Sequence, residues 1–208
     1  MNYDFIEIGT SDFDTCIQSS KGSEVGLSIE PLKVYLDRLP DKPNVTKLNC
    51  AISLDGTEYK DKIYWIHPDD LAKNGLPDYL KGCNRIGEPH PRHLTEKVKN
   101  TNAEIIATEI DMIPLSKIFD DYTVEGVKLL KLDTEGADVH ILKSFLPYLS
   151  DRPGEYRPDE IFFEANHIFF EENQLAADKL VLETINLYKD IGYRMAQRTY
   201  QNVHLLKV

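Results

Sequence analysis

Leu129-Leu130-Lys131-Leu132-Asp133-Thr134-Glu135-Gly136-Ala137-Asp138 is the stretch on which the fold turns. Taken back to Val127, it is an apolar run broken only by Lys128 and Lys131, the pattern of a strand buried inside a parallel sheet. Asp133, Thr134 and Glu135 stand where that strand ends. Gly136 lets the backbone approach a neighbour closely. Val139, Leu142, Phe145, Leu146 and Leu149 then recur at helical spacing, which predicts a helix over 136–149. A buried strand, a polar turn and a helix make half of a βαβ unit. A purely structural reading of the turn has Asp133 or Thr134 capping the helix.

The same alternation extends in both directions. Upstream, residues 4–8 form an apolar strand that runs into Gly9, and residues 25–29 form a second that ends in Glu30-Pro31. Leu32, Tyr35, Leu36 and Leu39 follow at helical spacing, and a third strand is expected over 45–53. Residues 62–66 read as a short strand. The turn signals then crowd into 67–103: His67-Pro68, Asn74-Gly75, Leu76-Pro77, Pro89 and Pro91. Alternation returns over 104–112, and Pro114 opens a short helix carrying Leu115, Ile118, Phe119 and Tyr122. Downstream lie a buried strand at 160–163, a helix over 175–189 and a hairpin over 193–208 turning at Gln201-Asn202. The predicted fold is α/β: a doubly wound, mostly parallel Rossmann-like sheet with a C-terminal antiparallel hairpin. Residues 1–208 are read as a single domain whose irregular insert, about 67–103, covers the active-site end.

Composition narrows the partners. Of 208 residues, 35 are acidic and 24 are Lys or Arg, for a net charge of −11. Nucleic-acid binding needs a basic face, which this chain lacks, so nucleic acid is not expected as a partner. No apolar run approaches the roughly 20 residues that span a bilayer, so no membrane partner is expected either. Cys16, Cys50 and Cys83 are odd in number and far apart, which points away from a disulfide framework and toward a cytoplasmic location. A homodimer, or a place in a larger polypeptide, stays open.

Ligands of open α/β sheets bind at the carboxyl ends of the strands, where strand order reverses. Gly9, Thr10 and Ser11 follow the first strand, and their free amides suit a carboxylate while Glu7 suits an ammonium group. Glu30 ends the second strand some 20 residues after Gly9, the usual place of an acid that accepts from ribose hydroxyls. Asn49 and Ala51, at the third strand's end, are positioned for an adenine edge. Asp133, Glu135 and Glu164 bring carboxylates to the ends of two later strands. They suit acid–base work, and Mg²⁺ shared by Asp133 and Glu164 is a secondary option that is not favoured. Residues 82–93 gather Asn84, Arg85, His90 and His93, and Asn166 and His167 follow Glu164. All six are side chains that bind polar ligands.

These motifs resemble the FkbM-like methyltransferase family. The likeness rests on residues 4–13, on Ile29-Glu30-Pro31, and on Ile113-Pro114-Leu115-Ser116-Lys117-Ile118-Phe119 paired with the Asp133-Thr134-Glu135-Gly136 turn. It implies a class I methyltransferase fold, S-adenosylmethionine as cofactor and transfer to oxygen. The expected acceptor is a small molecule or glycan bearing a sugar hydroxyl, such as that of a 6-deoxyhexose like rhamnose. In this reading Glu7, Gly9, Thr10, Ser11, Glu30, Asn49, Ala51 and Asp133 bind cofactor. His90 or Asp133 takes the proton, with Glu135 or Glu164 orienting the acceptor, and Asn84, Arg85, His93, Asn166 and His167 bind it. The chain departs from the family at Asp12 and Phe13, where a second glycine is usual, and it begins at the first strand, where relatives carry a helical segment. Two other readings are a non-catalytic module that keeps the fold and a nicotinamide-dependent oxidoreductase. The missing G-x-G-x-x-G and the terminal hairpin weigh against the oxidoreductase.

Overall fold

A computed structural model describes residues 1–89, 91–165 and 173–208. The strands are β1 (Asn2–Ile8), β2 (Gly26–Ile29), β3 (Val45–Leu48), β4 (Ala51–Ile52), β5 (Tyr59–Trp65), β6 (Arg85–Ile86), β7 (Ile106–Ile113), β8 (Gly126–Leu132), β9 (Glu160–Glu164), β10 (Tyr193–Arg198) and β11 (Asn202–Lys207). The helices are α1 (Cys16–Ser19), α2 (Lys33–Leu36), α3 (Pro68–Lys73), α4 (Leu115–Asp121), α5 (Asp138–Ser150) and α6 (Gln174–Asp190). The chain divides into two compact units, Met1–Glu58 with Ile113–Val208, and Tyr59–Met112.

The larger unit holds a seven-stranded sheet in the order β10-β11-β9-β8-β1-β2-β3. β3, β2, β1, β8 and β9 are parallel, and β11 runs antiparallel to both β9 and β10. This is the expected class I methyltransferase sheet with its terminal hairpin. From β1 the chain first winds outward through β2 and β3, then returns to β8 on the other side of β1. The reversal therefore lies between β1 and β8, where such sheets open a crevice.

Strand alternation separates two cores. Ile6, Ile8, Leu27, Ile29, Leu130, Leu132, Ile161 and Phe163 are essentially fully buried. Phe5 points to the opposite face, where it packs with Ile17 of α1 and with Leu36 and Leu39 around α2. The rings of Phe119 and Phe145 lie 4.8 Å apart and join α4 to α5. Tyr188, also buried, joins α6 to α5 by donating its hydroxyl to the Leu142 carbonyl at 3.0 Å. In β10 the pairing with β11 shifts register between Met195 and Gln197.

Two expected elements are shorter than the sequence suggests. The third strand stops at Leu48, and β4 leaves the seven-stranded sheet. Asn49 turns the chain there by donating its side-chain amide to the carbonyls of Glu30 and Pro31, at 3.0 and 2.8 Å. The helix expected over 32–39 is α-helical only at Lys33–Leu36. It closes in i→i+3 bonds from Arg38 and Leu39, because Pro40 follows and disfavours helical backbone in the residue before it.

In the smaller unit β5 pairs antiparallel with both β6 and β7. The alternation read over 104–112 is the in–out burial of β7. The turn-rich segment carries α3 and short helical turns over an apolar cluster of Ile66, Leu71, Leu80, Leu94 and Val98.

Replacing Tyr188 with Phe removes one buried hydrogen bond while keeping the ring. We expect a loss of about 1 kcal/mol in urea-induced unfolding.

Candidate active site

Gly9, Glu30 and Asp133 occupy neighbouring strand ends. Ile8 pairs in register with Ile29 on one side and with Leu132 on the other. Each of the three is the next residue along its strand. Gly9 N–H donates to the Ile29 carbonyl at 3.0 Å, and Asp133 N–H donates to the Ile8 carbonyl at 2.9 Å. Gly9 has φ +77°, and a Cβ there would sit 2.8 Å from the Asp133 carbonyl carbon and closer still to its oxygen. The glycine expected to admit a ligand thus first admits the backbone of β8.

Glu30 is buried, and its carboxylate ties two loops together. Its Oε2 accepts from Ser11 N–H at 2.8 Å and its Oε1 from Leu32 N–H at 2.8 Å. The Thr10 amide is a third donor to the same carboxylate. The Thr10 hydroxyl donates to the Ser11 carbonyl at 3.2 Å, and Ser11 has φ +44°.

Glu7 is fully buried, and the ammonium group it receives is the protein's own. Lys131 Nζ lies 2.8 Å from Glu7 Oε1, and Cys16 N–H donates to Glu7 Oε2 at 2.8 Å. Nζ also donates to the Asp14 carbonyl at 3.0 Å, at a residue with φ +53°.

The turn after β8 is shaped from within. Asp138, the first residue of α5, accepts from the Thr134 hydroxyl at 2.8 Å and from Thr134 N–H at 3.2 Å through Oδ2. Neither Asp133 nor Thr134 caps α5 with its side chain; the cap position is Ala137. Glu135 has φ +55°, an uncommon conformation for a residue with a side chain. By the register of Leu132 with Phe163, Glu164 ends β9 beside Asp133.

The family model for the methyltransferase FkbM domain matches residues 6–195. The chain belongs to the FkbM methyltransferase family. No curated protein and no solved structure matches it.

The FkbM domain concentrates raised carboxyl pKa values along this edge. Burial pushes Glu30 up to about 7, against the pull of the Leu32, Ser11 and Thr10 amides. Burial, then the charges of Asp133 and Asp138, push Glu135 up to about 8. Asp138 rises to about 7 through burial and the charge of Asp133. Its Oδ1 is buried with no hydrogen-bond partner, so a proton there lowers the cost of enclosing the group. Asp133 reaches solvent, yet lost hydration raises its pKa. Lys131 opposes the shift and Glu7 adds to it.

The other expected site residues fall elsewhere. Asn49 spends its amide on the β2–α2 turn, and Ala51 is buried in β4. In the smaller unit, Asn84 donates to the Lys81 carbonyl at 2.7 Å, and Arg85 lies 3.3 Å from Glu88. His90, Asn166, His167 and the side chain of His93 lie outside the described residues. Among the described residues no cluster of three or more His, Cys, Asp or Glu is arranged to hold a metal ion. Lys131 and Asp138 were not singled out from the sequence. The spacing of four between Thr134 and Asp138 was the available signal for the second.

Two measurements follow from this geometry. Gly9→Ala should cost about 3 kcal/mol in chemical denaturation, from left-handed strain and the collision with Asp133. Asp138 retains its proton to about 7 when folded, against an ordinary 3.8. The folded chain then binds more protons than the unfolded one between those values, so this group's contribution to stability falls as pH rises through that window. Asp138→Asn should flatten the corresponding part of a stability–pH curve.

Proposed function

We propose that this FkbM methyltransferase moves a methyl group from S-adenosylmethionine to a hydroxyl oxygen of a sugar or glycan acceptor, such as a 6-deoxyhexose. The observation that carries this reading is the side-by-side placement of Glu30, Gly9 and Asp133 at the sheet's reversal. Glu30, at the end of β2, is the acceptor for the ribose hydroxyls, with its carboxylate held in place by three backbone amides. The amides of Gly9, Thr10 and Ser11 are spent on the Ile29 carbonyl and on Glu30, so they shape the turn and do not take the amino-acid carboxylate. Charge supports the choice of cofactor. Asp133 puts an exposed carboxylate at this edge, while Lys131 is committed to Glu7. A ligand with an ammonium and a sulfonium meets complementary charge there, and the pyrophosphate of a dinucleotide does not.

When bound, S-adenosylmethionine supplies a methyl carbon activated by its sulfonium. The acceptor oxygen forms its new bond to that carbon as the carbon–sulfur bond breaks, and the electron pair stays on sulfur. The hydroxyl proton must go to a base. Asp133 is placed to take it, being open to solvent at the end of β8 with its pKa raised. Glu135, with a pKa of about 8, keeps a proton at neutral pH and orients the acceptor by donating it. Among the described residues no helix is long and apolar enough to cross a membrane. The three free cysteines suit a reducing cytoplasm.

Calorimetric titration should give binding of S-adenosylmethionine and none of NAD. Mass spectrometry of candidate glycans incubated with the protein and a labelled methyl donor should show one added methyl group per acceptor. Asp133→Asn should cut turnover about 100-fold or more while leaving donor binding largely intact. Near-normal turnover in that variant would remove Asp133 from the chemistry.

A further inference from the structure

We propose that Glu7 and Lys131 are a positioning pair, a buried ion pair that holds residues 9–16 in the shape that receives the methyl donor. The proposal rests on the S-adenosylmethionine reading for its ligand, but its geometry stands on its own. Residues 9–16 leave the end of β1 and enter α1 through an unfavourable path. Ser11 and Asp14 both adopt left-handed backbone, at φ +44° and +53°. Each such residue costs about 1–2 kcal/mol. Neither is glycine, so the path must be held by bonds from outside it.

Arg38 and Gln18 reach Asp12 in the middle of the path, and two carboxylates anchor its ends. At the near end Glu30 accepts from Ser11 N–H. At the far end Glu7 accepts from Cys16 N–H at 2.8 Å, at the first residue of α1. Lys131 completes the far anchor, with Nζ 2.8 Å from Glu7 and 3.0 Å from the Asp14 carbonyl. Glu7 is 0% exposed, and the Lys131 side chain 17%. At that burial, removing one partner leaves an uncompensated charge, which is far more damaging than replacing both. Cys16 fits the same picture, since burial and then the charge of Glu7 push its thiol up to about 12.

The pair also acts on the acidic edge as a unit. Lys131 favours the ionised form of Asp133 and Glu7 disfavours it. The two charges therefore act on Asp133 in opposite directions. Losing Lys131 alone exposes Asp133 to Glu7.

Three variants test this: Lys131→Met, Lys131→Arg and the double change Glu7→Gln with Lys131→Met. The double variant removes both charges and keeps the volumes, so it guards against simple unfolding. Hydrogen exchange on the unliganded protein reads the loop directly. The amides of residues 11–16 should exchange faster in the double variant, while those of β8 and β9 keep their protection. For S-adenosylmethionine, Kd and KM should rise about tenfold or more, with kcat at saturation retained. Lys131→Arg should restore most of the affinity. Lys131→Met should move the acidic limb of the pH–rate profile upward, and the double variant should return it. A folded double variant with wild-type loop exchange overturns the proposal. So does wild-type donor affinity in that variant. If the unaltered protein binds no S-adenosylmethionine, the cofactor reading fails instead, and loop exchange alone decides the anchor.

Discussion

The close approach of the chain at Gly9 to the end of β8 is the constraint on which the rest depends. A sheet that winds outward in two directions from β1 must bring two strand ends together where it reverses. Here the contact is so tight that a single added carbon would enter the Asp133 carbonyl. Because Gly9 leaves that space, Asp133 N–H reaches the Ile8 carbonyl, and Glu30 reaches the amide of Ser11. The meeting of these strand ends is therefore a product of sheet topology first and of its polar side chains second. Its carboxylates are gathered because neighbouring strands end in register.

Much of this was legible in the sequence, for a physical reason. Apolar runs at 4–8, 25–29, 127–132 and 160–163 mark buried strands because a parallel sheet covered on both faces demands them. The Glu30 spacing and the Asp133-Thr134-Glu135-Gly136 turn marked the strand ends. What escaped was set by contacts across long separations. Glu7 and Lys131 are 124 residues apart, and nothing near either position reveals that one neutralises the other. Glu7 therefore read as a receiver for a ligand's ammonium. The break after Leu48 escaped as well, because apolar residues continue through Ile52 while the Asn49 side chain turns the backbone toward Glu30.

The electrostatic character of the edge follows from the same packing. Glu30, Glu135 and Asp138 sit where water is scarce and where other carboxylates are near, and both effects favour the protonated form. Lys131 offsets this only locally, because its charge is already matched by Glu7. The edge can thus stay acidic and still be enclosed, each group holding a proton or an amide according to its surroundings. Asp138 shows how the strain is managed. It grips Thr134 twice and so fixes the turn in which Glu135 adopts its left-handed backbone.

Among the described residues β10 forms one edge of the seven-stranded sheet. An unprotected edge strand is a template on which a second chain can add itself, and long sheets risk growing into fibrils by that route. The slipped pairing between Met195 and Gln197 bends this margin out of register, and Arg194 adds an exposed charge that a copy of the strand would have to meet. The hairpin that completes the sheet thus leaves it a margin that is a poor template for a further strand.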